Sequence, residues 1–264
     1  MSSEQSHLES PIRAMPRVVF ALLMRELYTR FGRDNIGFLW IIVEPILFCC
    51  AVVLLWTIIK SEHSIAVALV PFLLTGYMPL LMYRHTTARI MRCMQANSAL
   101  LYHSKVTIFS MYTARIVLEV LSTITAFSIS CFAFWIFGVV EAPRDVSLML
   151  LGWGLYVWIT VSVSILVGSL SERSELTEKI WQPLSYITIP LSGTFFMVDW
   201  LTPSMHDIAA LMPMISAVEL IRGGYFGDTV TVHYNLVTSF YFCLLVTVAG
   251  LFLLKDARRY VEVE

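Results

Sequence analysis

Charge is scarce in this sequence. Only 14% of its 264 residues are Asp, Glu, Lys or Arg, against about 25% in an ordinary soluble domain. The mean hydropathy of +0.74 points the same way, to a membrane protein. A net charge of -1 leaves no positive excess to neutralise phosphates, which excludes a nucleic-acid binder. Metal and redox motifs are missing too. Cys49, Cys50, Cys93, Cys131 and Cys243 have no C-x-x-C or zinc spacing and read as small apolar packers. The six histidines are scattered without an H-E-x-x-H, so no metal site is expected. Gly32-Arg33-Asp34-Asn35-Ile36-Gly37 has the glycine spacing of a phosphate loop, but Phe38-Leu39 follows where Lys-Ser/Thr is required. Any ATP would therefore be bound, with its Mg, by another subunit, and no cofactor is expected in this chain. Neither paired carboxylates nor a catalytic His-Asp set is visible, which disfavours a membrane-embedded transferase and any catalytic residue. No internal repeat appears, which weighs against secondary transporters built from paired halves.

What the chain has in abundance is apolar length. Six stretches, residues 38–59, 65–83, 120–140, 146–170, 180–198 and 236–254, each approach the roughly 20 residues that a helix needs to cross the hydrocarbon core. Threaded alternately, they leave only Lys60, Arg144 and Arg222 on one side and the other fifteen of the 18 Lys and Arg on the opposite side. The positive-inside rule then places both termini in the cytoplasm. The expected fold is an all-α membrane protein with six transmembrane helices in a single domain. Residues 1–37 form a cytoplasmic tail and interfacial helix, 38–254 the six-span unit and 255–264 a second tail. The first 37 residues contain no apolar core of a signal peptide.

Within residues 17–31, Phe20, Leu23, Met24, Leu27 and Phe31 recur with helical period. This predicts an amphipathic helix, either lying in the membrane interface or docking to a soluble surface. Arg30, Arg33 and Gly37 form an elbow into the first span. There Pro45 removes a backbone donor and Glu44 carries a charge to a depth where it must pair, snorkel or line a polar path. Between spans two and three, residues 91–105 include Gln95, Ala96, Asn97, Leu100, Leu101, Tyr102 and Lys105. They read as a short capped helix with an apolar edge, suited to a partner's groove or to the interface. The external stretch 199–235 is too apolar for an exposed loop. Residues 208–212 and 215–221, separated by Pro213 and closed by Gly223 and Gly224, read as two short re-entrant half-helices. Glu219 and Arg222 have the i, i+3 spacing of an ion pair, and Pro213 with the glycines makes this region a candidate external gate.

Aromatics are plentiful, with 7 Trp, 11 Tyr and 16 Phe. Trp153 and Tyr156 in span four, and Tyr186, Phe195 and Phe196 in span five, serve either as packing or as a path for sugars. Aromatic faces bind such ligands weakly and tolerantly.

The order of these features resembles a known family. Tyr28-Thr29-Arg30-Phe31-Gly32-Arg33, Ile36-Gly37-Phe38-Leu39-Trp40 and Glu44-Pro45 resemble the start of capsular-polysaccharide exporter permeases of the KpsM and Wzm type. Gln95-Ala96-Asn97 with Leu100 and Tyr102 is similar to their ATPase-coupling segment, although His103-Ser104-Lys105 follows where an Arg-Pro pair is common. Met212-Pro213 with Val218-Glu219-Leu220 and Arg222 resembles their external stretch. The resemblance implies a homodimeric pore in the bacterial inner membrane with two copies of a separate nucleotide-binding ATPase subunit. It also implies a lipid-linked polysaccharide as cargo, and a periplasmic co-polymerase and an outer-membrane export protein as further partners. Exporters of O-antigen, teichoic acid or small molecules remain alternatives of the same class.

Overall fold

The computed structural model describes residues 11–31, 36–59, 68–91, 93 and 106–261, and every regular element among them is helical. The helices are α1 (Pro11–Phe31), α2 (Ile36–Ile59), α3 (Leu69–Met91), α4 (Ile108–Ile136), α5 (Val146–Ser171), α6 (Glu175–Leu191), α7 (Pro203–Ala210), α8 (Pro213–Phe226) and α9 (Leu236–Val261). Each of the six apolar stretches falls mainly on one helix: α2, α3, α4, α5, α6 and α9.

Helix ends follow local chemistry. At the start of α4, the Ser110 N–H donates to Thr107 Oγ1 and the Thr107 N–H to Ser110 Oγ, both at 3.1 Å. This capping box begins the helix well before the apolar run at Val120. Asp145 caps α5 by accepting from the Leu148 N–H at 3.0 Å. Ser174 caps α6, whose first turn places Glu175 and Glu178 at the positive end of the helix dipole.

Among the described residues, α4, α5 and Leu236–Lys255 of α9 are long and apolar enough to cross a membrane singly. The fifth apolar stretch is shorter as a helix than expected. α6 has 17 residues, roughly 26 Å at 1.5 Å per residue. Pro190 withholds a donor near its end, and Gly193 turns the chain at φ +73°. Residues 192–197 are therefore a turn, followed by a single 3-10 turn at Val198–Trp200.

α5 is the central helix, packed against α3, α6, α8 and α9. One core gathers Phe72, Leu74, Met78, Phe127, Tyr156 and Val218 from α3, α4, α5 and α8. A second joins Leu22, Ile90, Met111, Tyr112, Ile165 and Leu254. α1 thus docks on its own chain. Leu22, with Val18 and Val19, faces the bundle while Phe20 of the predicted stripe is 65% exposed. Charge fixes this docking. Arg115 donates from Nε and Nη2 to Glu26 Oε1 at 3.1 Å, and from Nη1 to the Arg89 carbonyl at 2.8 Å. Arg89 in turn pairs with the buried Glu119 at 2.8 Å. Just past α5, Glu172 accepts from the Tyr112 hydroxyl at 3.0 Å. Burial pushes its carboxyl up to about 7, and the tyrosine hydrogen bond opposes that rise.

Candidate functional site

Two helical stripes meet to form the site. On α3, Tyr77, Leu81, Arg84, His85 and Ala88 follow one another at helical spacing. On α6, Glu178, Trp181, Gln182 and Ser185 stand at i, i+3, i+4 and i+7. With Glu44 of α2 they line a cavity of about 300 Å³, at the small end of the roughly 300–1,000 Å³ usual for ligand sites. No residue of α6 is fully buried, and on this face Trp181 packs against the core beside Tyr83 while Glu178, Gln182 and Ser185 line the cavity.

The lining is chemically unusual for a bundle interior. The Arg84 guanidinium lies over the Tyr186 ring at 4.9 Å. Neither it nor the Glu44 carboxylate has a hydrogen-bond or ion-pair partner among the described residues. The Trp181 Nε1 is buried without an acceptor. Buried or half-buried polar groups usually find partners, so such a set is a standing demand for a ligand or water. From the cavity an aromatic line continues from α3 through α2 to the turn beyond α6. Tyr77 stacks on Phe48 at 3.8 Å, and Phe48 lies 6.3 Å from Phe195.

The sugar-path residues named from sequence divide. Tyr186 and Phe195 are exposed on this face, at 62% and 41%. Phe196 is half-buried and packs with Val198, Ala209 and Ile215. Trp153 and Tyr156 are core residues, a correction to their place on the path. Trp153 packs on Phe127 at 5.0 Å and Tyr156 is fully buried. Their i, i+3 face points into the bundle, against α4 and α3. Sequence reasoning missed Tyr77, Arg84, Glu178, Trp181 and Gln182. The signal was the polar-aromatic stripe on α6, and Arg84 had been counted only as a topological charge.

At the other end of α6 the charged side chains are held mainly by backbone groups, although Arg222 Nε is buried without an acceptor among the described residues. α7 and α8 are two short helices where half-helices were expected, bent 104° to one another, the first running Pro203–Ala210, earlier than residues 208–212, and the second starting at Pro213. Among the described residues Glu219 and Arg222 form no direct ion pair, contrary to their spacing, because each takes backbone partners instead. Arg222 is fully buried and donates to the carbonyls of Gly193, Phe196 and Thr194 at 2.8, 2.6 and 2.6 Å, with Phe72 4.0 Å beneath it. Glu219 accepts the N–H groups of Val198 and His233, both at 3.2 Å. Gly223 and Gly224 do not end α8 but lie inside it, and the helix stops at Gly227, φ +60°. A Cβ on Gly224 would collide with the Met149 backbone and stand 2.6 Å from the Asp145 carbonyl. This glycine therefore serves close helix packing.

Arg33 and the coupling residues Gln95, Ala96, Asn97, Leu100, Leu101, Tyr102 and Lys105 lie outside the described residues. The side chains of Arg30, Gly37 and Pro45 do as well.

Long apolar helices around a polar and aromatic wall are the arrangement of a membrane transport subunit, and family membership gives that class. Residues 17–226 match the ABC-2 type transporter family, and the chain belongs to it. It is 38% identical over 230 residues to the capsule polysaccharide export inner-membrane protein CtrC of Neisseria meningitidis serogroup A, covering 87% of this chain and 86% of that protein. It is 33% identical over 259 residues to the capsule polysaccharide export inner-membrane protein BexB of Haemophilus influenzae, covering 98% of each. With the polysialic acid transport protein KpsM of Escherichia coli it shares 24% over 234 residues, 84% of this chain and 89% of that protein. Membership in a transporter family decides against the transferase alternative.

Proposed function

We propose that this chain is the membrane-spanning permease of an ATP-driven exporter that moves lipid-linked capsular polysaccharide across the bacterial inner membrane. The observation that carries the reading is similarity along nearly the whole chain to proteins named for capsule export in two organisms. In this reading α2, α3, α4, α5, α6 and α9 make six crossings, with both termini cytoplasmic, and α7 and α8 stand on the external side. Two copies form the pore. Two copies of an ATPase subunit, which bind ATP and Mg, dock at residues 91–105. A periplasmic co-polymerase and an outer-membrane export protein continue the path.

The polar-aromatic face of α2, α3 and α6 supplies a wall for the cargo. The cavity stands at its cytoplasmic end, between the start of α2, the end of α3 and the start of α6. A polymer that advances unit by unit must leave each site as readily as it arrives, and stacked rings give weak, sequence-tolerant contacts of that kind. The test is co-purification with the ATPase encoded beside it, followed by hydrolysis assays in proteoliposomes. Capsule glycolipid should stimulate hydrolysis and be translocated. Stimulation by O-antigen or teichoic acid lipids, with capsule glycolipid inert, would overturn the reading.

A further inference from the structure

The cavity between α2, α3 and α6 is lined by the Arg84 guanidinium, the Glu44 carboxylate and the Trp181 indole N–H, none of which has a hydrogen-bond or ion-pair partner among the described residues. We propose that it binds a single acidic sugar unit, one ring carrying a carboxylate or phosphodiester, as the polymer passes. This rests on the permease reading above and adds a ligand chemistry and named residues to it.

Arg84 is the charge-bearing group. Lying on Tyr186 at 4.9 Å, its guanidinium is held flat, so its N–H edge stays available to an anion. No ion pair or hydrogen bond among the described residues occupies that edge. A bare phosphate or lipid headgroup would leave the acceptor of Glu44 and the amide of Gln182 without the hydroxyl groups that they can bond. A site for neutral sugar would gain nothing from an unpaired guanidinium. The mixture suits a ligand with both features. Glu44 accepts from ring hydroxyls, Gln182 donates and accepts, and the buried Trp181 Nε1–H, which has no acceptor, donates to a ring or carboxylate oxygen. The indole and phenol faces of Trp181 and Tyr186 cover the apolar face of the ring. A volume of about 300 Å³ has room for one such unit and not for a folded segment of polymer.

The experiment uses the full chain with its ATPase partner in nanodiscs of neutral lipid. Binding of tetragalacturonate, maltotetraose and inorganic phosphate is measured by saturation-transfer NMR. Tetragalacturonate should bind, maltotetraose about tenfold more weakly, the scale of one charge-assisted hydrogen bond, and phosphate alone not at all. Arg84→Gln should remove the preference for the acidic sugar, Arg84→Lys should restore part of it, and Glu44→Gln should weaken both sugars while keeping the preference. Should Arg84→Gln be poorly folded, the surface change Tyr186→Leu removes the shelf and should lower the preference alike. Equal binding of the acidic and neutral sugars, or an Arg84→Gln protein with the preference intact, overturns the proposal. So does displacement of tetragalacturonate by phosphate or by anionic lipid added to the nanodiscs, which assigns the cavity to headgroups. Glycolipid-stimulated hydrolysis by the same preparation separates the two readings. If stimulation persists without acidic-sugar preference, only the cavity assignment falls. If capsule glycolipid fails to stimulate, the permease reading falls first.

Discussion

Beyond the C-terminal end of α6, Arg222 gives its N–H groups to three backbone carbonyls and stacks on Phe72. Along the same helix, the Arg84 guanidinium lies over the ring of Tyr186 and has no hydrogen-bond or ion-pair partner among the described residues. Both are single arginines within a bundle poor in charge. The difference shows how to separate structural from functional charge in a membrane protein. A charge whose bonding capacity is absorbed by backbone is a rivet, and removing it exposes what it held. A charge left with free donors beside a cavity contributes little to the fold and is available to a passing ligand.

Substitutions can break this comparison, and the largest effect is expected at Arg222. Arg222→Met strips three carbonyls of their donor and should cost about 3–5 kcal/mol, as when one partner of a buried charged set is removed. Membrane-inserted protein and melting temperature in detergent should both fall steeply. A normal melting temperature would show that the two arginines do not differ. Next is Gly224→Val, which drives α8 from the Met149 backbone at a cost of about 1–3 kcal/mol by overpacking. The loss should appear as lowered melting temperature, whereas a gating hinge would stall export with stability intact.

A smaller term belongs to the α1 clasp, a charge pair between the two extremes. A double-mutant cycle on Glu26→Gln and Arg115→Met should return a coupling of about 1–2 kcal/mol in melting experiments, because the pair is partly buried and two nitrogens share one oxygen. A coupling near zero would return α1 to the status of a free interfacial helix. The smallest effect is at Glu172. Burial raises its carboxyl to about 7 when folded, so between the ordinary carboxylate range and pH 7 the unfolded chain ionises while the folded one keeps its proton. Stability falls as pH rises through that window, and the cost is complete above it. Glu172→Gln should therefore raise melting temperature at pH 8 and change little at pH 4. An equal change at both would deny the raised value.

Much of the fold was legible because apolar runs, proline and glycine carry helix positions directly. Each of the six stretches lies mainly on a helix, and Pro213 does begin the second half-helix. What sequence could not specify was facing. Trp153 and Tyr186 are both aromatic residues in long apolar helices, yet one is 5% exposed and the other 62%, and only the arrangement of neighbouring helices decides which. The i, i+3 spacing of Glu219 and Arg222 likewise measured reach, not competition. Backbone groups stranded in the turn beyond α6 and before α9 were the stronger claimants. Gly223 and Gly224 looked like a stop because glycine ends helices, but close packing against the start of α5 uses the same missing side chain.

The Arg222 rivet also has an electrical consequence. A helix carries roughly half a negative charge at its C-terminal end, and the carbonyls just beyond α6 extend it. Seated on the Gly193, Thr194 and Phe196 carbonyls, a full positive charge reverses the sign of that end. For an acidic polymer moving along α6 from Tyr186 towards Phe195, the potential would otherwise climb against it at the last step. Under the export reading proposed above, the guanidinium lowers that barrier for an acidic unit.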